Sequence, residues 1–194
     1  MAWIDYQKVF DRVSHSWIIK SIGLIGINNK VISFTKKVMS YCRTRMHLHT
    51  ENKLIETEDK KVQCGIFQGD SLSPLLFCIC LIHLFAQLNR LNTGYEEHTT
   101  KTKISHLLCM DDLKLIVKTE EELQKQIQTI QIFSDDIHME FGPEKCAKIA
   151  FKRGKIVYSQ NLVIDISRET QELEQGKTYL GIEESEGIQH QQMK

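Results

Sequence analysis

Two short apolar segments joined by a tight polar step place the strongest constraint on the fold of this chain. Residues 104–117 read ISHLLCMDDLKLIV, in which Met110, Asp111 and Asp112 separate two apolar runs. Apolar runs divided by a few turn residues are typical of a β-hairpin. We therefore predict an antiparallel hairpin that carries two adjacent carboxylates at its tip.

A third carboxylate follows an apolar segment at the beginning of the chain. Asp5 comes directly after residues 2–4, which read AWI and which we interpret as a strand. If this strand lies beside the hairpin, Asp5, Asp111 and Asp112 converge at one edge of a sheet. Clustered carboxylates repel one another, and divalent cations bound between them offset that repulsion. Oxygen ligands suit Mg²⁺, and two such ions can hold both oxygens of a phosphoryl displacement.

The same aspartates also have a simpler structural interpretation. Aspartate is common in tight turns, which alone could account for Asp111 and Asp112. Asp5 and Asp11 could each cap the segment that follows, and we assign Asp11 to that structural role. The residue types and their spacing leave both interpretations of the other three aspartates open.

Helical patterns fill much of the remaining chain. Apolar residues spaced by three or four predict three helices, at residues 15–22, 28–41 and 120–137. Ser14 and Thr119 are suitable N-caps, and Glu122 makes a capping box with Thr119.

A fourth helix and several short strands complete the predicted elements. Ser73 as N-cap and Pro74 at the first helical position begin a helix that continues to about residue 91. This helix is apolar nearly all round, so we expect it to be buried. Alternating residues predict a hairpin within residues 44–57, and strands are predicted at residues 146–151 and 178–182. We expect the polar residues 185–194 to be disordered.

Composition excludes several classes of protein. Hydrophobic residues make up 41% of the chain and charged residues 26%, which is normal for a globular domain and not for a disordered chain. The 25 basic and 25 acidic residues give a net charge of zero, unlike a histone-like binder of nucleic acid. Residues 1–50 nevertheless carry eight Lys or Arg and two Asp or Glu. This third of the chain either faces a polyanion or forms a solvated helix face.

The cysteines and the apolar runs bear on the location of the protein. The six cysteines include no pair with the C-x-x-C spacing of a zinc site, and the first ten residues lack the features of a signal peptide. We therefore expect free thiols in a reducing, intracellular compartment. The longest apolar run, residues 75–82, is shorter than the roughly 20 residues that cross a bilayer, and no membrane partner is expected.

Five segments, in this order, resemble the palm motifs of reverse transcriptases, most closely those of the non-LTR (LINE-type) retrotransposon branch. Residues 2–11, AWIDYQKVFD, resemble the first motif, which in the family usually reads D-x-x-x-A-F-D. Residues 68–77, QGDSLSPLLF, are similar to the second motif, Q-G-x-x-L-S-P-x-L-F, and residues 109–112, CMDD, to the third, aromatic-x-D-D. Residues 141–146 and 179–182 resemble the fourth and fifth motifs.

The resemblance implies both a fold and an activity. The fold is an α+β reverse-transcriptase palm over residues 1–184, a ferredoxin-like antiparallel sheet packed on helices, with fingers and thumb largely missing. The activity is RNA-directed DNA synthesis, in which deoxynucleoside triphosphates extend a DNA primer on an RNA template. The implied cofactor is a pair of Mg²⁺ ions, with Mn²⁺ as a substitute.

The resemblance also implies roles for the three aspartates. Asp5 and Asp111 would hold both metal ions, and Asp112 would complete the catalytic triad. Two residues depart from the family pattern. Cys109 stands where the family usually has Tyr or Phe, and Val9 stands where it usually has Ala. The smaller Cys109 is expected to loosen the packing beneath the primer end.

Four further residues match positions that contact the nucleotide in the family. Phe10 corresponds to an aromatic steric gate beneath the sugar, with a core phenylalanine as the alternative. Gln68 and Gly69 correspond to the loop that contacts the incoming nucleotide and template. Lys145 corresponds to a lysine that protonates pyrophosphate, with a solvated lysine at a strand edge as the alternative.

Two other interpretations compete with an active polymerase. One is a catalytically inactive retrotransposon remnant that at most binds nucleic acid through its basic N-terminal third. It predicts binding that weakens with salt and no metal-dependent extension. The other is a fragment without function, which predicts low stability and exposed apolar surface.

Overall fold

The protein is described by a computed structural model. It describes residues 1–50, 53–142, 146–152, 155–157, 171–172, 177–179 and 182–184. The chain divides into two compact units, of which the first comprises Met1–Gln7 and Leu84–Lys194 and the second comprises Lys8–His83.

The described residues form five helices and fifteen short strands. The helices are α1 (Val9–Arg12), α2 (His15–Leu24), α3 (Asn29–Ser40), α4 (Ser73–Arg90) and α5 (Glu120–Ile137). The strands are β1 (Ala2–Ile4), β2 (Arg43–Thr44), β3 (His47–Thr50), β4 (Lys53–Glu56), β5 (Lys60–Lys61), β6 (Tyr95–Glu96), β7 (Lys103–Ile104), β8 (His106–Cys109), β9 (Asp112–Leu115), β10 (Ala147–Lys148), β11 (Ala150–Lys152), β12 (Lys155–Val157), β13 (Gln171–Glu172), β14 (Lys177–Tyr179) and β15 (Ile182–Glu184).

A five-stranded sheet organises the first unit, with the strand order β13-β10-β1-β9-β8. The predicted hairpin is confirmed, because β8 and β9 pair antiparallel and Cys109 lies opposite Asp112. The predicted N-terminal strand is also confirmed, and it lies between β10 and β9, antiparallel to both. The sheet is antiparallel as predicted, except that β10 and β13 pair in parallel.

One face of this sheet and one side of α5 supply the apolar core of the first unit. The sheet residues Ala2, Ile4, Leu113 and Leu115 are all buried. The apolar residues of α5 repeat at helical spacing and are buried as well, namely Leu123, Ile127, Ile130, Phe133 and Ile137. Such spacing places them along one side of the helix, which explains why this segment folds as a core helix.

Hydrogen bonds tie α5 to the strands at two points. The hydroxyls of Tyr6, just after β1, and of Ser134 lie 3.0 Å apart in the interior. Burial raises the pKa of the Tyr6 hydroxyl well above its usual range. Near the other end of the helix, the buried Gln126 Nε2 donates to Thr93 Oγ1 and to the Ser105 carbonyl.

The beginning of α5 differs slightly from the predicted capping box. Thr119 Oγ1 accepts a hydrogen bond from the Glu122 amide, as expected. The Glu122 carboxylate, however, accepts from the amides of Lys118 and Gly94. The bond from Lys118 lowers the pKa of Glu122, and the bond from Gly94 links the helix to the turn before β6.

The buried histidine of β8 is expected to make the first unit sensitive to acid. His106 packs edge-on against Phe85, and its Nδ1 lies 2.7 Å from Ser105 Oγ. Burial lowers the pKa of His106, so the folded protein disfavours the protonated ring.

We expect stability to fall as the pH drops below about 6.5, because the unfolded histidine then binds a proton that the folded one resists. The measurement is urea unfolding between pH 7.5 and 5.5, in which His106→Gln should flatten the pH dependence. A variant with the same pH slope as the wild type would contradict this assignment.

The second unit contains two helices, α2 and α3, that pack on each other. Ser14 caps α2 as predicted, since its Oγ accepts from the Trp17 amide at 3.1 Å. The Trp17 indole in turn donates to the Cys80 carbonyl. Ile18 of α2 and Phe77 of α4 are fully buried in the core of this unit. The predicted hairpin within residues 44–57 is confirmed as β3 and β4.

Helix α4 departs from the prediction of a helix buried on all sides. Leu75, Ile82 and Phe85 are exposed, whereas its other large apolar residues alternate with them and enter the core. The helix begins at Ser73, so the cap position is one residue earlier than predicted, and Asp70 Oδ1 accepts from the Leu72 amide there. The 18 residues of α4 are also long and apolar enough to cross a membrane by length and composition, a test that soluble core helices pass as well.

Two predicted elements are only partly described. The strand predicted at residues 178–182 corresponds to β14 and β15, which pair antiparallel. Residues 143–145 of the fourth motif, which include Lys145 and the break at Pro143, and the tail of residues 185–194 lie outside the described residues.

Candidate active site

The strand register of the first unit brings the three predicted carboxylates to one edge of the sheet. Ile4 pairs with Leu113 across β1 and β9. Continuing this register by one residue places Asp5 opposite Asp112, which itself pairs with Cys109. Directly paired residues project from the same face of a sheet. Asp5, Asp112 and Cys109 therefore form one row, and Asp111 occupies the adjoining turn.

The backbone at Asp5 is fixed by the segment that follows α5. The Asp5 carbonyl accepts a hydrogen bond from the Gly142 amide at 2.9 Å and a weaker one from Cys146 Sγ at 3.8 Å. The next residue, Tyr6, stacks on Phe141 with ring centroids 5.1 Å apart. The carboxylate itself is half-buried, with Oδ1 screened from solvent. These contacts hold the end of β1 at a defined place on the sheet edge.

The turn between β8 and β9 has an unusual backbone. Met110 has a φ of +56°, in the left-handed backbone region that residues other than glycine and asparagine seldom adopt. Such conformations cost about 1–3 kcal/mol and cluster at functional sites. Met110 and Asp111 are the two turn residues, and Asp111 is half-buried while Cys109 is exposed. The exposed Cys109 is where the family usually has an aromatic ring.

A buried lysine lies two residue pairs behind the carboxylate row. Lys114 pairs with Trp3 across β9 and β1, and both project from the same face as Asp5 and Asp112. Their exposed fractions are only 6% and 4%, and Lys114 Nζ lies 5.3 Å from the centroid of the Trp3 ring. A cation in this position offsets part of the negative charge of the row. Lys114 was not predicted as a site residue. The available indication in the sequence was its position two residues after Asp112, because residues two apart on a strand share one face.

The donor chemistry of the row suits a hard divalent cation. Carboxylate oxygens are preferred ligands of Mg²⁺, which takes one or two of them and completes its shell with water and substrate phosphate. Within the described part of the chain, no three His, Cys, Asp or Glu side chains are gathered closely enough to hold an ion. The backbone thus aligns the three positions, and the catalytic and metal-binding roles of Asp5, Asp111 and Asp112 remain predictions.

The predicted nucleotide-binding residues belong to the second unit. Phe10 is half-buried and stacks on Phe77 with ring centroids 5.2 Å apart. Its carbonyl accepts from the Ile66 amide at 2.6 Å, which joins α1 to the loop of the second motif. Within that loop, Gln68 and Gly69 are both exposed. Gly69 has a φ of +88°, and a Cβ there would meet no atom within 4 Å, so the loop presents open backbone to solvent.

Solved structures of telomerases resemble this fold. The structure of apo telomerase from Candida tropicalis truncated from its C-terminal domain matches 95% of this chain and 33% of that chain, with a TM-score of 0.57 and 15% identity. A telomerase structure from Candida albicans in complex with a fragment of telomeric RNA matches 95% of this chain and 29% of that chain, with a TM-score of 0.54 and 12% identity. Sequence identities this low support a conclusion about the fold alone. The structural similarity confirms the predicted α+β palm.

Sequence relatives come from retrotransposons. The chain is 31% identical over 149 residues to a Retrovirus-related Pol polyprotein from type-1 retrotransposable element R2 of Popillia japonica, across 76% of this chain and 23% of that protein. It is 30% identical over 155 residues to the protein of the same name from Nasonia vitripennis, across 77% of this chain and 14% of that protein. The chain therefore spans less than a quarter of the length of these curated relatives.

The family profile matches nearly the whole chain. Residues 1–183 match the family described as "Reverse transcriptase (RNA-dependent DNA polymerase)". Together with the R2 relatives, this match confirms the predicted reverse transcriptase domain of the non-LTR retrotransposon branch. Divalent metals are used generally in this family. The chain belongs to the reverse transcriptase family of RNA-dependent DNA polymerases.

Proposed function

We propose that this chain is the palm of an RNA-directed DNA polymerase that adds deoxynucleotides to the 3′-hydroxyl of a DNA primer. The observation that carries the proposal is the register of β1 on β9, which aligns Asp5 with Asp112 beside the Asp111 turn. Carboxylates on one sheet edge are a suitable frame for a two-metal phosphoryl transfer. The Candida albicans telomerase of similar fold is in complex with a fragment of telomeric RNA, which agrees with an RNA template here.

In the proposed mechanism, Asp5 and Asp111 would hold two Mg²⁺ ions and Asp112 would complete the ligand set. When bound, the ions activate the primer hydroxyl and stabilise the charge on the departing pyrophosphate. The primer 3′-hydroxyl would lose its proton to solvent, and its oxygen would bond to the α-phosphorus of the deoxynucleotide as the bond to pyrophosphate breaks. Asp5 is held by the backbone contacts of its carbonyl, and Lys114 offsets part of the negative charge behind the row.

Residues of the second unit and the fourth motif are proposed to handle the nucleotide. Phe10 would lie beneath the sugar, and its stacking on Phe77 would hold the ring in place. Gln68 would contact the incoming nucleotide, and Gly69 would let the loop backbone approach it closely. Lys145 would give a proton to pyrophosphate.

The experiment is primer extension on an RNA template with deoxynucleotides and Mg²⁺. The matched protein carries Asp111→Ala and Asp112→Ala, which removes two half-buried carboxylates from the turn. We expect metal-dependent extension that the double variant loses. Absence of extension by folded wild-type protein would leave the chain without the proposed activity.

The proposed steric gate at Phe10 leads to a separate prediction about sugar selection. Phe10→Ala should raise the efficiency of ribonucleotide incorporation relative to deoxynucleotide incorporation. Relief of a clash of about 1–3 kcal/mol corresponds to a change of roughly 5- to 150-fold in this ratio. Single-nucleotide incorporation kinetics with the two sugars measure the ratio. An unchanged ratio would assign Phe10 to the core alone.

The alternative is an inactive remnant that binds nucleic acid. It is favoured by the lack of an assembled three-residue metal cluster in the described chain and by Cys109 in place of an aromatic residue. It predicts RNA binding by wild-type protein in EDTA, and no extension in Mg²⁺.

A further inference from the structure

Helix α3 presents an exposed face that combines aromatic and basic residues. The side chains of Phe34 and Tyr41 are 67% and 69% exposed, and Lys30 and Lys37 are exposed as well. On the other side of the helix, Ile32 lies against Gly23 of α2 and is half-buried. Helix α3 is thus anchored on one side, while its aromatic side chains project into solvent.

The order of these residues places them in one stripe. Positions 30, 34, 37 and 41 are separated by four, three and four residues, so they line a single side of an α-helix. Lysine and aromatic residues therefore alternate along the stripe. At about 1.5 Å of rise per residue, the two rings lie roughly 10 Å apart along the axis, as do the two lysines. Exposed aromatic rings of this kind have no role in the core of the unit.

The charge of residues 12–50 is positive, although Arg45 pairs with Asp59 and Glu56. Residues 12–50 contain seven Lys or Arg and no Asp or Glu. Lys30 and Lys37 form no ion pair within the part of the chain that the structure describes. A polyanion is therefore the partner whose charge complements this surface.

We propose that Lys30, Phe34, Lys37 and Tyr41 form a binding surface for a single-stranded nucleic acid. The lysines contact backbone phosphates, and the rings stack on unpaired bases, which is the combination that binds single strands without sequence preference. A duplex hides the faces of its bases within the stack, so it uses the lysines alone. The aliphatic side chains of Val31 and Val38, 49% and 48% exposed, adjoin the stripe, so an acidic protein helix is the competing occupant that the test must separate from a single strand.

This surface is distinct from the proposed catalytic edge. Binding there requires neither a metal ion nor a deoxynucleotide, and the stripe lies in the second unit whereas Asp5, Asp111 and Asp112 lie in the first. The inference can therefore fail or succeed independently of the proposed polymerase activity.

The test is fluorescence anisotropy with a labelled 20-nucleotide oligo(U) RNA and the full chain in EDTA. The first variant is Lys30→Glu with Lys37→Glu, and the second is Phe34→Ala with Tyr41→Ala. The control is Lys36→Glu, which lies roughly 100–120° away around the same helix from the two lysines. Thermal melts confirm that each variant is folded, and Lys30→Gln with Lys37→Gln replaces the charge reversal if that variant unfolds.

We expect both double variants to weaken binding by about 10-fold or more, because each stacked base and each phosphate contact contributes independently. The lysine variant should also lower the slope of log affinity against log salt by about 1.4 for two lost phosphate contacts. Lys36→Glu should bind within about 2-fold of wild type.

Three results would overturn the proposal. The first is wild-type affinity in both double variants, which would assign the stripe to a protein partner or to no partner. The second is an equal loss in Lys36→Glu, which would indicate unspecific attraction to a basic chain. The third is wild-type affinity for a duplex RNA that equals the affinity for oligo(U), with binding of the duplex unchanged in the Phe34→Ala, Tyr41→Ala variant.

Discussion

Replacing Asp5 by asparagine should lower the rate of primer extension by about 10³-fold, because in the proposed mechanism it removes a negative charge that would hold the metal ions and keeps the size of the side chain. The register of β1 against β9 places this residue in the carboxylate row. The backbone bonds to the Asp5 carbonyl do not involve the side chain, so the variant should remain folded. Single-turnover extension with saturating primer–template measures the effect on the chemical step.

The matched control is Asp136→Asn, which neutralises an exposed carboxylate near the end of α5. This variant should extend primers within about 2-fold of wild type, since its charge is solvated and screened. If Asp5→Asn were no more impaired than Asp136→Asn, Asp5 would have the capping role that its sequence position also allows.

Substituting Gly94 by alanine should destabilise the protein by about 3 kcal/mol or more, because strain and overlap act together at this position. Gly94 has a φ of +122°, and a Cβ there would lie 2.6 Å from the Ile104 carbonyl oxygen and 2.7 Å from Ser105 Cα. Both neighbours are backbone atoms, so no side chain can rotate away. A loss of this size corresponds to a fall in Tm of about 10 °C for a chain of this length.

Gly23→Ala is the matched control for Gly94→Ala. A Cβ at Gly23 would meet only Ile32 Cδ1, at an ordinary contact distance of 3.9 Å. Gly23 lies inside α2, where alanine is favoured over glycine by about 0.5–1 kcal/mol. Thermal unfolding should therefore show a higher Tm for Gly23→Ala and a lower Tm for Gly94→Ala. A similar Tm for both variants would contradict the close approach at Gly94.

Much of the sheet edge could be predicted from the sequence because local signals coincide there. The apolar runs on both sides of Met110 and Asp111 specify a hairpin, and the short apolar segment before Asp5 specifies a strand. Both predictions are local, since alternation and turn residues act over a few positions. The helix caps at Ser14 and Thr119 were predictable for the same reason.

Other features depend on partners that a single sequence does not reveal. The parallel pairing of β10 with β13 depends on segments far apart in the chain. The burial of Lys114 depends on Trp3 in another strand, and only the register brings the two together. The sequence spacing also did not predict that one side of α4 and the aromatic side of α3 are exposed. Periodicity identifies an apolar stripe on a helix but not which element covers that stripe.

Mn²⁺ binding followed by electron paramagnetic resonance tests the central claim most directly, namely that the carboxylate row holds the metal ions. The titration uses folded wild-type protein with a deoxynucleoside triphosphate and a primer that lacks its 3′-hydroxyl, beside Asp5→Asn and the Asp111→Ala, Asp112→Ala protein. We predict two ions bound by the wild type in excess of those bound by the nucleotide alone, and a loss of both in the variants. Equal Mn²⁺ binding by wild type and variants would contradict the assignment of the metal site to this edge of the sheet.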